Sequence, residues 1–359
     1  MDKINARLLV LARHLRQYTQ KEASQLMGIS QGKLSKAEHD LQEFPLDLVE
    51  ELSRVYNLPI EFFFQTPPNI NLEKSFFRRV ASITEKNIDS FKAKISIQLS
   101  IIDKLFEPIE IPRFDLITQE VNAYNSPESI AQEIRQQFKI PFGPIPNLIR
   151  IIENHGVIIQ QLDFENEKID AFSAVSENGR IVIFLNSIMP NDRMRFSLAH
   201  ELGHVIMHQF YFVNDKELAE IQANAFASEL LMPANEFKYE MGILTMNSLA
   251  QLKRKWKVSM HAIVRSARDR GYINDKRYKY FQILFSKNGY TKIEPYPIPF
   301  EKPILIEETI NLYQKELGYN ARDLSKISCI GESEFKTWFK PMSVLPSVKF
   351  NFDSFRKSK

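Results

Sequence analysis

A single cysteine, Cys329, stands in a chain of 359 residues. One thiol can build neither an internal disulfide nor a cysteine-based zinc site. Any bound metal must therefore rest on histidine and carboxylate, and the expected setting is reducing and cytoplasmic. Long apolar runs are also lacking. None approaches the roughly 18 residues of a membrane span, and the opening Met1-Asp-Lys-Ile-Asn-Ala-Arg7 has no apolar stretch of the kind a secretion signal carries. Neither membrane insertion nor export is expected. Internal repeats and low-complexity tracts are missing as well. What remains is an ordinary globular composition, 44% hydrophobic and 25% charged, long enough for two or three domains.

Net charge is only +3, which says little about partners, but its distribution is uneven. Between Gln251 and Lys292 stand twelve Lys and Arg against two acids, Asp269 and Asp275. This stretch reads either as a face for something acidic or as solvated surface.

Punctuation divides the chain. Residues 4–64 read as short helices with sharp turns until Thr66-Pro67-Pro68-Asn69 breaks the pattern, which sets a first all-α domain at 1–66. Ile88, Phe91, Ile95, Leu99, Ile102 and Phe106 recur at helical spacing from about Ser82, and 67–112 reads as a connecting arm. Ser126-Pro127 opens a helix, and Gly156 closes another. Strands are expected at 157–162, 171–175 and 181–185, the last two joined through Ser176-Glu177-Asn178-Gly179. With helical patterns thereafter, 113–295 reads as a second domain and 296–359 as a small helical appendage with a loose tail beyond Pro341. The fold class is α+β, mainly helical, with a small sheet ahead of the chemistry.

That chemistry is His200-Glu201-Leu202-Gly203-His204, within a segment whose apolar residues fit a buried helix. Four-residue spacing puts both imidazoles on one helix face, close enough to grip one ion, and Glu201 is placed to act as general base. The metal read from this donor set is Zn2+. A catalytic zinc needs a third protein ligand and one open position. Asp215, Glu217, Glu220 and Glu229 are the nearest downstream carboxylates. Glu220 is favoured, because Glu220 and Asn224 share one helix face, one to ligate and the other to hydrogen-bond a ligand histidine; Glu217 is the runner-up. His208, about 12 Å of helical rise from His200, is read as a pocket or packing residue. Tyr211, Arg265 and Arg268 are candidates for stabilising the oxyanion.

Arg195-Phe-Ser-Leu-Ala-His-Glu-Leu-Gly-His204 and Glu220-Ile-Gln-Ala-Asn-Ala-Phe-Ala-Ser-Glu-Leu-Leu-Met-Pro233 resemble the paired signatures of the ImmA/IrrE family of zinc peptidases, over roughly residues 140–290. The resemblance implies a zincin-like, gluzincin core with two histidine ligands and a glutamate from the second motif, in agreement with Glu220. It also implies a protein target, a helix-turn-helix repressor in stress or mobile-element regulation, and a strand near 170–175 that borders the cleft and pairs with an extended peptide.

Nearer the N-terminus, Thr19-Gln-Lys-Glu-Ala-Ser-Gln-Leu-Met-Gly28 and Ser30-Gln-Gly-Lys-Leu-Ser-Lys-Ala-Glu-His39 read as two capped helices across a tight turn, a pattern that resembles the Xre (lambda-repressor-like) helix-turn-helix family. That resemblance sets Gln31, Gly32, Lys33, Ser35 and Lys36 on double-stranded DNA, with Gln20 near a phosphate. Glu38 and Asp40 temper the charge of the reading helix, so a homodimer on two half-sites is expected. Two functions compete: a DNA-binding regulator whose zinc endopeptidase cleaves a protein partner, and a non-cleaving repressor or antitoxin whose peptidase-like domain binds a partner or senses a signal.

Overall fold

Capping side chains decide where the first helices begin. In the computed structural model, which describes residues 3–68, 85–164, 169–211, 213–291 and 293–339, α1 (Ala6–Leu15) is followed by α2 (Gln20–Leu26) and α3 (Gln31–Glu38). Thr19 accepts from the backbone N–H of Glu22, Ser30 from that of Lys33, and Gly28 turns the chain between them at φ +67°. Next come α4 (Val49–Tyr56), α5 (Glu85–Phe106), α6 (Pro127–Gln137) and α7 (Leu148–Asn154). Ser126 caps α6 with proline in its first turn, and Gly156 follows α7 at φ +80°. A Cβ on Gly156 would stand 2.3 Å from the backbone of Arg113 and Phe114. Glycine is required there both by conformation and by space.

Three strands follow, β1 (Val157–Leu162), β2 (Ala171–Val175) and β3 (Ile181–Asn186), in the order β1-β3-β2. β1 pairs parallel with β3 and β2 antiparallel, the latter through the Asn178-Gly179 turn, where Gly179 has φ +77°. The remaining helices are α8 (Asn191–His208), α9 (Lys216–Leu231), α10 (Ala234–Phe237), α11 (Met246–Trp256), α12 (Met260–Asp269), α13 (Asp275–Lys287), α14 (Leu305–Glu316), α15 (Ala321–Ser328) and α16 (Glu332–Trp338). The described residues are mainly helical around one small sheet, as the sequence led us to expect. No helix among the described residues is long and apolar enough to cross a membrane. The tail beyond Pro341, Asn69 of the boundary, the first residues of the arm helix (82–84) and Lys292 lie outside the described residues.

Because strand side chains alternate, the sheet divides two cores. Val157, Ile159, Ile181, Ile183 and Leu185 face the core built on α6 to α9 and α11 to α13. Ile158, Phe172, Val182 and Phe184 face the other, which gathers α5, α14 to α16 and the N-terminal helices. All of β3 is buried. The second core takes in the stretches read from sequence as an arm and an appendage. Ile95, Leu99, Ile102 and Leu105 of α5 are wholly buried, α5 packs on α1, the Tyr313 hydroxyl donates to Leu105 O, and the Gln160 amide donates to Trp338 O. An isolated amphipathic pattern shows that a helix has a buried face but not what covers it.

Part of the cationic stretch is paired within the fold and part stays at its surface. Lys253 is buried between Asp192 and Glu294, Arg270 binds Glu229 and Met232 O, Arg254 lies over Tyr296, and Arg277 lies over Tyr280 and Phe281. Lys276, Lys279 and Lys287 remain exposed on α13.

Candidate metal centre

The site is set by two helices in close contact. Gly203 is the point of approach: a Cβ on it would lie 2.9 Å from the ring of Phe226 on α9. That contact brings Glu220 to the face of α8 that carries the histidines. His200 Nε2 and His204 Nε2 are 3.0 Å apart, His204 Nε2 is 3.3 Å from Glu220 Oε1, and His200 Nε2 is 3.5 Å from Glu220 Oε2. Among the described residues this is the one His/Cys/Asp/Glu group whose ligand atoms all lie within 4.8 Å of one another. Donors around a tetrahedral zinc stand about 3.3 Å apart, given bonds of about 2.0–2.1 Å. The triangle has the size the ion requires.

Tautomers point the same way. The Asn224 amide donates to Glu220 O at 2.7 Å, which leaves its Oδ1, 3.2 Å from His200 Nδ1, to accept. With the proton on Nδ1, the Nε2 of His200 turns a lone pair into the triangle. His204 Nδ1 is 2.9 Å from His208 Nδ1, and His208 Nε2 is 2.8 Å from Gln222 Oε1. Burial pushes His208 down to about 4, against the opposing effect of Gln222, so its ring is neutral near pH 7. It then accepts from His204 and donates to Gln222. Two nitrogen lone pairs only 3.0 Å apart repel unless a cation lies between them. The residues fit the metal.

Glu201 is buried beside its ligand neighbours, and Ser173 of β2 donates to its Oε2 at 3.1 Å. Of the other carboxylates, Asp215 caps α9, Glu217 is exposed, and Glu229 is fully buried against Arg270 and the Ala234 N–H. None of these three joins the triangle. Among the oxyanion candidates the Tyr211 hydroxyl already donates to Thr118 O, and Arg268 is pinned on Asp269 beneath Tyr278.

This geometry coincides with a family match. Residues 152–268 match the family profile of the IrrE N-terminal-like domain, a metallopeptidase family. No curated protein matches the chain. The IrrE-like segment runs from within α7 to within α12 and holds the sheet and both metal-site helices. It leaves residues 1–151 and 269–359 outside.

Sequence reasoning named His208 as a pocket or packing residue but not its bond to His204, which the same four-residue spacing makes, and it missed Ser173 altogether. Ser173 carried no local signal, because its partner is brought near only by packing of β2 on α8.

On the N-terminal helices, Gln31, Gly32 and Lys36 are exposed and Lys33 and Ser35 half-buried. The Gln20 amide donates to Glu38 Oε2 at 2.8 Å. Glu38 is itself buried against Arg13, and Asp40 is paired with Lys3. Glu38 is thus matched inside the fold and Asp40 at its surface.

Proposed function

We propose that this chain is a cytoplasmic DNA-binding transcription regulator carrying a zinc-dependent endopeptidase that cleaves a protein partner, with a helix-turn-helix repressor as the class of target. The observation that carries this reading is the His200–His204–Glu220 triangle with the buried, Ser173-bound Glu201 at its edge. Zinc held by the three ligands supplies Lewis acidity at the scissile carbonyl. Glu201 accepts a proton from the attacking water as its oxygen joins the carbonyl carbon, then passes that proton to the amine as the C–N bond breaks. Ser173 fixes one Glu201 oxygen so that the other is turned to the water. His208 and Asn224 hold the ligand rings in place.

The decisive experiment pairs elemental mass spectrometry with a count of new N-termini in a proteome incubated with the protein. Zinc-loaded wild type is expected to bind near one zinc per chain and generate new N-termini. Glu201→Gln is expected to keep the metal and generate none, and Glu220→Ala to lose the metal. Turnover retained in Glu201→Gln would refute the assigned base.

For DNA, the reading is that α3 enters the major groove through Gln31, Gly32, Lys33, Ser35 and Lys36, two copies serving two half-sites. Its support is the exposed face of a doubly capped helix pair. Lys33→Ala with Lys36→Ala is expected to lower the slope of log affinity against log salt by about two, since each phosphate left unneutralised takes away about 0.9. An unchanged slope in an anisotropy titration would remove α3 from the DNA.

A further inference from the structure

Beside the ligand triangle lies a cavity of 390 Å³ walled by α8, α9, α12 and α13. At its near end are Ser197, one helical turn before His200, and Asn224, which hydrogen-bonds His200. At its far end are Arg193 and Asp170. Arg193 precedes His200 by seven residues of α8, about 10 Å at 1.5 Å per residue. β2 gives the same span. Ser173 reaches Glu201, while Asp170, three residues earlier and about 10 Å back along an extended chain, pairs with Arg193. An extended peptide running beside β2 with its scissile bond at Glu201 therefore lays a side chain over this cavity within three residues of that bond.

The lining decides which side chain. Asp170, Asp192, Asp269 and Glu294 all border the cavity, and each is already matched. Asp170 takes both arms of Arg193 at 2.7 and 2.9 Å. Asp192 and Glu294 share the buried Lys253, and Glu294 also binds His261 Nδ1 at 2.7 Å. Asp269 accepts twice from Arg268, at 2.6 and 2.9 Å. Arg265 is held differently. Its Nε is 3.5 Å from Asp269, too long for a good hydrogen bond, and its side chain is 58% exposed. An ammonium group entering here meets only committed carboxylates. A carboxylate meets a guanidinium with donors to spare, in the geometry of a two-pronged, charge-assisted pair.

We infer that this cavity is a specificity pocket for an acidic side chain of the peptide substrate, bound by Arg265 within three residues of the scissile bond. The inference rests on reading the metal centre as a peptidase, and its test separates the two. Zinc-loaded, full-length Glu201→Gln is titrated with fluorescent decapeptide pools in which one position is fixed as Asp, Glu, Asn, Gln or Lys. Wild type is given the same pools and cleavage read by mass spectrometry. Asp or Glu pools are expected to bind roughly tenfold tighter than their Asn or Gln counterparts, the size of one charge-assisted hydrogen bond. Adding Arg265→Gln should abolish the difference, and adding Arg265→Glu should shift preference to Lys, with zinc content unchanged in both.

Equal binding of acid and amide pools, an acid preference indifferent to residue 265, or no binding at all would each overturn the pocket. Acid preference that disappears with Arg265 supports it whatever the turnover. That preference without cleavage by wild type would overturn the peptidase reading and leave the pocket standing.

Discussion

His204 is held from both ends, by the metal position at Nε2 and by His208 at Nδ1, and the chain of bonds ends on Gln222 of the neighbouring helix. The ring that carries a ligand nitrogen is thereby tied to the helix that supplies Glu220. His208→Ala is expected to lower zinc affinity about 10- to 100-fold, the usual effect of removing a partner of a ligand, read by competition with a chromophoric chelator. An unaltered affinity would reduce His208 to packing. A different residue governs acid–base behaviour far from the metal. Glu153 is buried, and desolvation raises it from 4.5 to about 7 even though the N–H groups of Ile304 and Leu305 donate to it. Between those values the folded chain holds a proton that the unfolded chain has released. Its contribution is therefore fully present below pH 4.5 and is lost as pH rises through 7. Glu153→Gln keeps an acceptor for both N–H groups and cannot ionise. Thermal melts should show it more stable than wild type at about pH 8 and equal to it at about pH 4.5, on either side of the raised value; a lower Tm on the alkaline side would contradict this assignment.

At the level of elements, α8 and α9 work as a pair because Gly203 lets the Phe226 ring lie against the α8 backbone. Gly203→Ala puts a methyl 2.9 Å from a fully buried ring that has little room to retreat. The expected cost is about 1–3 kcal/mol, together with weaker zinc binding as Glu220 is pushed from the histidines. Zinc titration and thermal melting of the variant check both, and wild-type values in both would show that the helices have slack. Elements governed by local chemistry were legible in the chain itself. Thr19, Ser30 and Ser126 mark helix starts, Gly156 an end and Asn178-Gly179 a turn, and each acts on groups within a few residues. His200, His204 and Glu220 were legible because two of the spacings lie on single helices. The cover of the sheet's second face was not, since Phe172 and Phe184 meet α5 and the C-terminal helices only through packing between residues far apart in sequence. For the same reason Lys253 and Arg270 read as surface charge until Asp192, Glu294 and Glu229 were seen around them.

At the scale of the whole molecule, the second core joins α1, α3 and α4 to α5, the sheet and α14 to α16. Arg16 adds a two-pronged pair with Glu334, at 2.6 and 3.0 Å, across the seam between N-terminal and C-terminal helices. Calorimetry of the zinc-free protein should therefore give one unfolding transition shared by both ends of the chain. Two separated transitions, one of them abolished by deleting residues 1–66, would mean that the N-terminal helices fold by themselves. The sheet that divides the cores also limits what can be cut out. Residues 152–268 contain His200, Glu201, His204, Glu220 and all three strands, yet the side of β3 bearing Val182 and Phe184 is roofed by helices outside that stretch. Expressed alone, residues 152–268 would present a bare aromatic wall to water and are expected to aggregate. In this chain the stretch that matches a family profile is smaller than the stretch needed to cover both faces of its own sheet.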